Sequence, residues 1–192
     1  MNEPKKNAVL VAIQLPKVTA LEVESSLQEL TRLVTTLGYN VVGSVSQKRS
    51  SDKSTSVLGD GKLKELAEWT GGTGKIAAMV EHKLSKAALK WQEADSENAD
   101  STEDVEESAG LLTEEQKKSA QIVIVDTELS PSQLRNLESA TGVTVLDRTG
   151  VIIEIFSRHA RTKAARLQVE IARLTYVAPR IRETGGGEDR QG

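Results

Sequence analysis

Residues 8–14, AVLVAIQ, are the most informative segment for the fold class. Their apolar side chains form a nearly continuous run rather than an alternating one, which is typical of a strand buried on both faces of its sheet. Residues 122–125, IVIV, repeat this pattern late in the chain. A sheet buried on both faces needs helices on both sides, so the sequence predicts an α/β domain.

The segment that follows residues 8–14 predicts a helix. Thr19 can cap its first turn, and Glu22, three residues later, completes a capping box. Gly38 supplies a left-handed stop at the other end. The apolar residues between these signals recur every three or four positions and form one stripe: Val23, Leu27, Leu30, Val34 and Leu37.

The rest of the chain continues the alternation of strands and helices. Ser130, with Pro131 after it and Gln133 at the third position, starts a further helix that Gly142 ends. This order predicts a mostly parallel sheet with helices on both faces. The other predicted elements are strands at 39–45 and 143–146, a polar loop at 47–55, a turn and helix at 58–69, a strand or helix at 76–89, and a helix at 149–159.

Two opposed blocks of charge lie behind the net charge of -3. Residues 93–115 hold ten acidic side chains and no Lys or Arg, whereas residues 157–182 hold seven basic ones against Glu170 alone. The acidic run has little apolar surface to bury, so we predict a disordered insert at 93–117. An acidic mimic that folds back on the basic end is the functional alternative.

Composition narrows the function classes. The absence of cysteine excludes disulfides and thiol catalysis, and the 3% aromatic content leaves little material for base-stacking platforms. His82 and His159 lack Cys or clustered carboxylate partners at ligand spacing, so we predict no metal site. With no apolar run of membrane-spanning length, we expect a soluble, cytoplasmic protein without a membrane partner.

Two features invite a ligand-binding interpretation. Residues 69–76, WTGGTGKI, resemble a phosphate-binding loop, but Trp69 stands where its first glycine belongs and Ile76 replaces the magnesium-binding hydroxyl. We therefore interpret this segment as a glycine-rich turn. Asp126 and Asp147 follow predicted parallel strands, where α/β ligands bind, but a helix starts close behind each one, which favours a capping or turn role.

The C-terminal segment is a basic helix with a heptad seam. A seam predicts a partner helix, so either the chain is a fragment or the seam packs against its own domain or another molecule. Pro179 is expected to end or kink the helix, and Gly185, Gly186 and Gly187 to open a turn. The seam residues step by three and four positions: Ala164, Leu167, Ile171, Leu174, Ala178 and Ile181.

Five blocks, taken in order, resemble the N-terminal domain of the HflX family of ribosome-associated GTPases. They are residues 58–66 (LGDGKLKEL), 128–138 (ELSPSQLRNLE), 147–156 (DRTGVIIEIF), 168–172 (QVEIA) and 176–180 (YVAPR). The resemblance implies an α/β domain, residues 1–157, followed by a long helical hairpin of which residues 158–192 are the first helix and the start of a glycine-rich loop. It also implies docking on the large ribosomal subunit and a role in splitting stalled or idle ribosomes under stress.

In the family, GTP and magnesium bind a G domain that follows the hairpin. This sequence contains neither the Gly-x-x-x-x-Gly-Lys-Ser/Thr motif nor an Asn-Lys-x-Asp motif. The acidic run is also longer than the family pattern leads one to expect. We therefore expect no GTPase chemistry and no cofactor within this chain.

The basic helix is the predicted functional site, since a line of cations can meet rRNA phosphates and release their counterions. The alternatives are a solvated helix or a protein–protein module that uses the seam 164–181, with a second copy or another helix as the partner. The candidate ribosome-binding residues are Arg158, Arg161, Lys163, Arg166, Arg173, Arg180, Arg182, Gly185, Gly186 and Gly187.

Overall fold

The computed structural model describes residues 5–51, 54–76 and 117–185, the last four by backbone alone. Residues 93–116 of the predicted acidic insert, His82, Gly186 and Gly187 lie outside these ranges. In chain order the elements are β1 (Asn7–Gln14), α1 (Ala20–Thr36), β2 (Asn40–Lys48), α2 (Asp60–Thr70), β3 (Ile122–Val125), α3 (Pro131–Thr141), β4 (Thr144–Asp147), α4 (Arg148–His159) and α5 (Lys163–Gly185).

The four strands form one sheet in the order β2-β1-β3-β4, and every pairing is parallel. Successive side chains of β1 point to opposite faces and join two separate apolar clusters. Leu10 packs with residues of α1 and α4, whereas Val11 packs with residues of α2 and α3. The predicted α/β class, with a parallel sheet covered by helices on both faces, is therefore confirmed.

Helix α1 has the predicted capping box. The Thr19 hydroxyl accepts the Glu22 backbone N–H at 3.3 Å, and the Glu22 carboxylate accepts the Thr19 N–H at 2.7 Å. Gly38 adopts a positive φ of 80° just after the helix, as a left-handed stop requires. Leu30 and Val34, from the predicted stripe, are completely buried against the sheet.

The capping carboxylate makes the stability of α1 depend on pH. The Thr19 N–H, followed by the Thr19 hydroxyl, lowers the pKa of Glu22 below its ordinary value of 4.5. A carboxyl group with a lowered folded-state pKa stabilises the fold above its unfolded-state pKa, and this contribution is lost as the pH falls through the folded-state value. On acidification from about pH 6 to about pH 3, we expect the Tm of the parent chain to fall more than that of Glu22→Gln, whose amide can still complete the box. Parallel Tm curves for the two proteins would contradict this assignment.

Strand β2 is longer than predicted. It runs to Lys48 because β1 offers a paired position at each step, so that Gln47 lies opposite Ile13 and Lys48 opposite Gln14. The predicted loop at 47–55 therefore starts later. The Gln47 side chain, instead of being a loop group, accepts the Gly59 N–H at 2.8 Å and so fixes the start of α2.

Helix α5 starts later than the predicted residue 158, at Lys163, and extends further at its C-terminus. Pro179 lies inside it, and Gly185 is its last helical residue rather than the opening of a turn. A proline within a helix removes a backbone hydrogen bond, so contacts elsewhere must hold the helix across it. Tyr176 and Arg180, on either side of Pro179, both contact Asp147. Among the helices that the structure describes, none is long and apolar enough to cross a membrane.

Candidate functional site

Helix α5 packs against α4 and α3, next to the β4 edge of the sheet. Val169, Tyr176 and Val177 are half-buried on its inner side. Four residues of the predicted seam lie on the outer side and are largely exposed, so these four do not pack against their own domain, whereas the seam residue Ala178 is half-buried. Their exposed fractions are 65% for Leu167, 63% for Ile171, 55% for Leu174 and 63% for Ile181.

Four of the predicted cations lie on or just before the N-terminal two thirds of α5. Arg161 and Lys163 are exposed at its start. Arg166 is also exposed, although its Nε donates to the Ala160 carbonyl at 3.2 Å, and the exposed Arg173 forms an ion pair with Glu170 at 3.2 Å. Exposed pairs of this kind are weak, so Arg173 can exchange Glu170 for another anion. These four residues, Arg161, Lys163, Arg166 and Arg173, are called the cationic row below.

Arg158 is separate from the cationic row because it belongs to α4. Its Nη1 donates to the Leu37 carbonyl at 2.6 Å and its Nε pairs with Glu154 at 3.1 Å. A cation at the C-terminus of a helix, here α1, interacts favourably with the helix dipole. The Arg158 side chain therefore joins α4 to α1 rather than extending the surface of α5.

Arg180 is directed into the domain. Its side chain is 17% exposed, its Nη2 lies 2.9 Å from Asp147 Oδ2, and its guanidinium stacks on the Tyr176 ring at 3.4 Å. This placement differs from the expectation that Arg180 continues the cationic surface, because sequence spacing does not show which side of the helix faces the sheet. The structure gives only the backbone at Arg182 and Gly185, both within α5.

Asp147 is the centre of a buried polar cluster at the end of β4. Its carboxylate is completely buried and accepts the Gly150 N–H at 2.8 Å, which makes it the N-cap of α4 and confirms the predicted capping role. It also accepts the Leu129 N–H at 3.2 Å and the Tyr176 hydroxyl at 2.7 Å, in addition to the Arg180 bond. Burial, and then the hydrogen bond to Asp147, raise the pKa of Tyr176, so this hydroxyl remains a donor at physiological pH.

Asp126, at the end of β3, is held by Arg148. Arg148 Nη1 lies 2.8 Å from Asp126 Oδ1, while its Nη2 lies 2.7 Å from Glu29 of α1. Hydrogen bonding to Glu29, and more weakly to Asp126, raises the pKa of Arg148. Both strand-end carboxylates are thus paired with arginines, and their geometry supports joining of elements rather than acid–base chemistry.

The glycine-rich segment 69–76 packs against the end of α3. Gly71 and Gly74 have positive φ values of 81° and 66°, and the Gly74 N–H donates to the Ala140 carbonyl at 2.9 Å. A Cβ at Gly72 would lie 2.4 Å from the Ala140 and Thr141 backbone. Gly72 is therefore required by a close backbone contact and Gly71 and Gly74 by their positive φ, which supports the interpretation of this segment as a glycine-rich turn. Within the described ranges, no group of three or more His, Asp or Glu residues could hold a metal ion.

Two family models match most of the chain. The model described as "GTP-binding GTPase N-terminal" matches residues 24–97 and 86–157, which run from within α1 to near the end of α4. The model described as "GTP-binding GTPase Middle Region" matches residues 159–192, which include α5. The sheet domain and its appended helix thus define the N-terminal and middle regions of a GTP-binding protein.

Similar proteins identify the family. GTPase HflX of Gluconacetobacter diazotrophicus is 55% identical over 184 residues, 96% of this chain and 39% of that protein. GTPase HflX of Caldanaerobacter subterraneus is 33% identical over 188 residues, and that of Escherichia coli strain K12 is 29% identical over 176 residues. The chain belongs to the HflX family of GTPases and corresponds to its N-terminal region. It spans 39% of the first of these relatives, 32% of the second and 30% of the third.

Solved structures share the fold. A GTP-binding protein from Sulfolobus solfataricus, in complex with GDP, aligns with a TM-score of 0.54 at 20% identity, over 93% of this chain and 39% of that chain. A second structure, of SsGBP and GDP, aligns with a TM-score of 0.56 over 94% of this chain and 37% of that chain. At this identity the likeness supports the fold alone.

Proposed function

We propose that this chain is the ribosome-binding N-terminal module of an HflX-type GTPase and that it contacts large-subunit rRNA through α5. The observation that carries the proposal is the cationic row, whose four side chains are exposed along α5 and just before it. The family resemblance indicates the ribosome as the partner, and the positive charge of the cationic row indicates contact with rRNA phosphates. The α/β domain serves as a rigid base that holds α5 in place.

Phosphate contacts account for how such a surface binds. Each cation that neutralises an rRNA phosphate releases condensed counterions, and this release gives affinity without base specificity. Duplex rRNA is recognised through its shape and its phosphates, because its deep major groove does not admit side chains. We therefore expect the cationic row to bind rRNA with salt-sensitive affinity and without preference for particular bases.

The wider role follows from the family. We propose that the whole protein acts in the cytoplasm on stalled or idle ribosomes under stress, and that GTP and magnesium bind a region other than these 192 residues. The part of the chain described here would position that region on the ribosome. Its own contribution is binding rather than catalysis.

Co-sedimentation with purified large ribosomal subunits across a salt series tests the proposal. We expect the 192-residue chain to bind at low salt, and a variant with Arg161, Lys163 and Arg173 all changed to Gln to bind more weakly. Because each phosphate contact contributes about 0.7 to 0.9 to the slope of log affinity against log salt, the slope should fall by about 2 to 3.

A matched variant controls for net charge. Lys17, Arg32 and Lys48 are exposed and lie away from α5, so changing all three to Gln removes the same charge from the sheet domain. Affinity and salt slope close to those of the parent chain are expected for this control. Equal losses in both triple variants, or no binding by the parent chain at low salt, would contradict the proposal.

Protein–protein contact through the seam is the second candidate function. The outward exposure of Leu167, Ile171 and Leu174 favours it, since apolar residues at heptad spacing are suited to packing against another helix. Sedimentation of the chain alone at several concentrations distinguishes this candidate. Self-association of the chain without ribosomes, rising with concentration, would support the seam, whereas a dilute monomer with full helix content would count against it.

A further inference from the structure

We infer that Asp147, Tyr176 and Arg180 form a polar latch that fixes the direction in which α5 crosses the sheet domain. The inference rests on the proposed function in one respect, namely that the held helix carries the ribosome contact. Under this assignment Tyr176 and Arg180 are positioning residues, and the cationic row makes the contacts. The latch itself is a property of the chain and can be tested without ribosomes.

The geometry of Asp147 is the first argument. Its backbone ends β4 and its carboxylate caps α4, so the carboxylate is fixed to the sheet before α5 is considered. Tyr176 and Arg180 then reach it from one side of α5, at 2.7 Å and 2.9 Å. Two directional bonds from positions one helical turn apart constrain the rotation of α5 about its axis as well as its distance from the sheet.

The space around Tyr176 is the second argument. The Tyr176 hydroxyl sits against Gly150 in the first turn of α4, where a Cβ would lie 2.6 Å from the hydroxyl oxygen. Only a glycine allows this approach. Arg180 also donates from Nη1 to the Tyr176 carbonyl and stacks on the Tyr176 ring, so the two α5 residues hold each other as well as Asp147.

The weakness of the remaining contacts of α5 is the third argument. Its inner apolar residues, such as Val169 and Val177, are only half-buried, and its outer residues are exposed. Apolar contacts of this kind are not directional and tolerate sliding and rotation. Hydrogen bonds and ion pairs between buried groups are directional, so they specify one arrangement among several of similar apolar burial, and here the latch supplies that specification.

Pulsed electron paramagnetic resonance can measure the direction of α5. The chain contains no cysteine, so Arg32→Cys on α1 and Thr175→Cys on α5 provide the only two labelling sites. We expect one narrow distance distribution in the otherwise unchanged chain. Tyr176→Phe and Arg180→Met should each shift or broaden it, while the chain keeps its helix content by circular dichroism.

Arg173→Met is the matched control, because it removes the same charge from the same helix outside the latch. We expect it to leave the distance distribution unchanged. Gly150→Ala is the complementary variant, since it keeps every polar group of the latch but displaces the Tyr176 hydroxyl, and it should also shift the distribution. If Arg180→Met fails to fold, Gly150→Ala still tests the latch. Unchanged distributions in Tyr176→Phe and Gly150→Ala would overturn the latch.

Ribosome binding distinguishes positioning from contact. We expect Tyr176→Phe, which changes no charge, to bind large subunits about tenfold more weakly, in the range of coupling through residues that touch neither partner. Arg173→Met should instead lower the salt slope at an unchanged label distance. Shifted distances in Tyr176→Phe with full ribosome affinity would overturn the positioning role. Shifted distances in the latch variants, together with no ribosome binding by the parent chain, would support the latch and contradict only the proposed function.

Discussion

Asp147→Ala is expected to destabilise the fold by about 3 to 5 kcal/mol, the cost of breaking a buried ion pair by removing one partner. The carboxylate is fully buried and accepts from four donors, the backbone N–H groups of Leu129 and Gly150 and the side chains of Tyr176 and Arg180. Alanine can accept none of these bonds, and it leaves the largely buried Arg180 guanidinium without its carboxylate. Urea denaturation followed by circular dichroism measures the change in the free energy of unfolding.

Asp60→Ala is the control for this substitution. Asp60 is exposed in the first turn of α2, where a carboxylate contributes about 0.3 to 1 kcal/mol through the helix dipole. Asp147→Asn should be intermediate in severity, because its amide keeps one acceptor oxygen but loses the charge. Destabilisation by Asp147→Ala as small as that by Asp60→Ala would show that the buried cluster does not hold the fold.

The sequence predicts those elements whose signals are local. Residues 8–14 and 122–125 identify the two central strands. A strand that is buried on both faces carries apolar side chains on both, so its sequence does not alternate between apolar and polar residues. Thr19 with Glu22, and Ser130 with Gln133, place the starts of α1 and α3 because a cap and its partner lie within one turn. The extent of β2 is not local in this sense, since its last residues are in a strand only because β1 pairs with them.

The sequence predicts the positive charge of the candidate site but not the directions in which its side chains point. The basic composition of residues 157–182 identifies the helix, but it treats Arg158, Arg173 and Arg180 as equivalent. In the structure Arg158 binds α1, Arg173 remains on the surface, and Arg180 turns inward to Asp147, 33 residues earlier in the chain. A fixed spacing cannot reveal such a pair, because its geometry depends on how α5 lies across α4.

Gly72→Ala is the second substitution for which we expect a large effect. The added Cβ would lie 2.4 Å from the backbone of Ala140 and Thr141, and backbone atoms cannot rotate away as a side chain can. Relief requires the 71–74 loop to move off the end of α3, which would also strain the bond from the Gly74 N–H to the Ala140 carbonyl. We expect a loss of about 2 to 4 kcal/mol, at the upper end of the range for overpacking.

Gly61→Ala makes the same chemical change with the opposite expected sign. Gly61 lies within α2, and a Cβ there would meet no atom within 4 Å. Alanine favours the helix over glycine by roughly 0.5 to 1 kcal/mol, so this variant should be more stable than the parent chain. Denaturation curves of the two variants, measured side by side, separate the effect of backbone crowding from that of chain entropy. If Gly72→Ala were as stable as Gly61→Ala, the glycines of residues 69–76 would not be explained by packing against α3, and a ligand-binding role for that loop would again need to be considered.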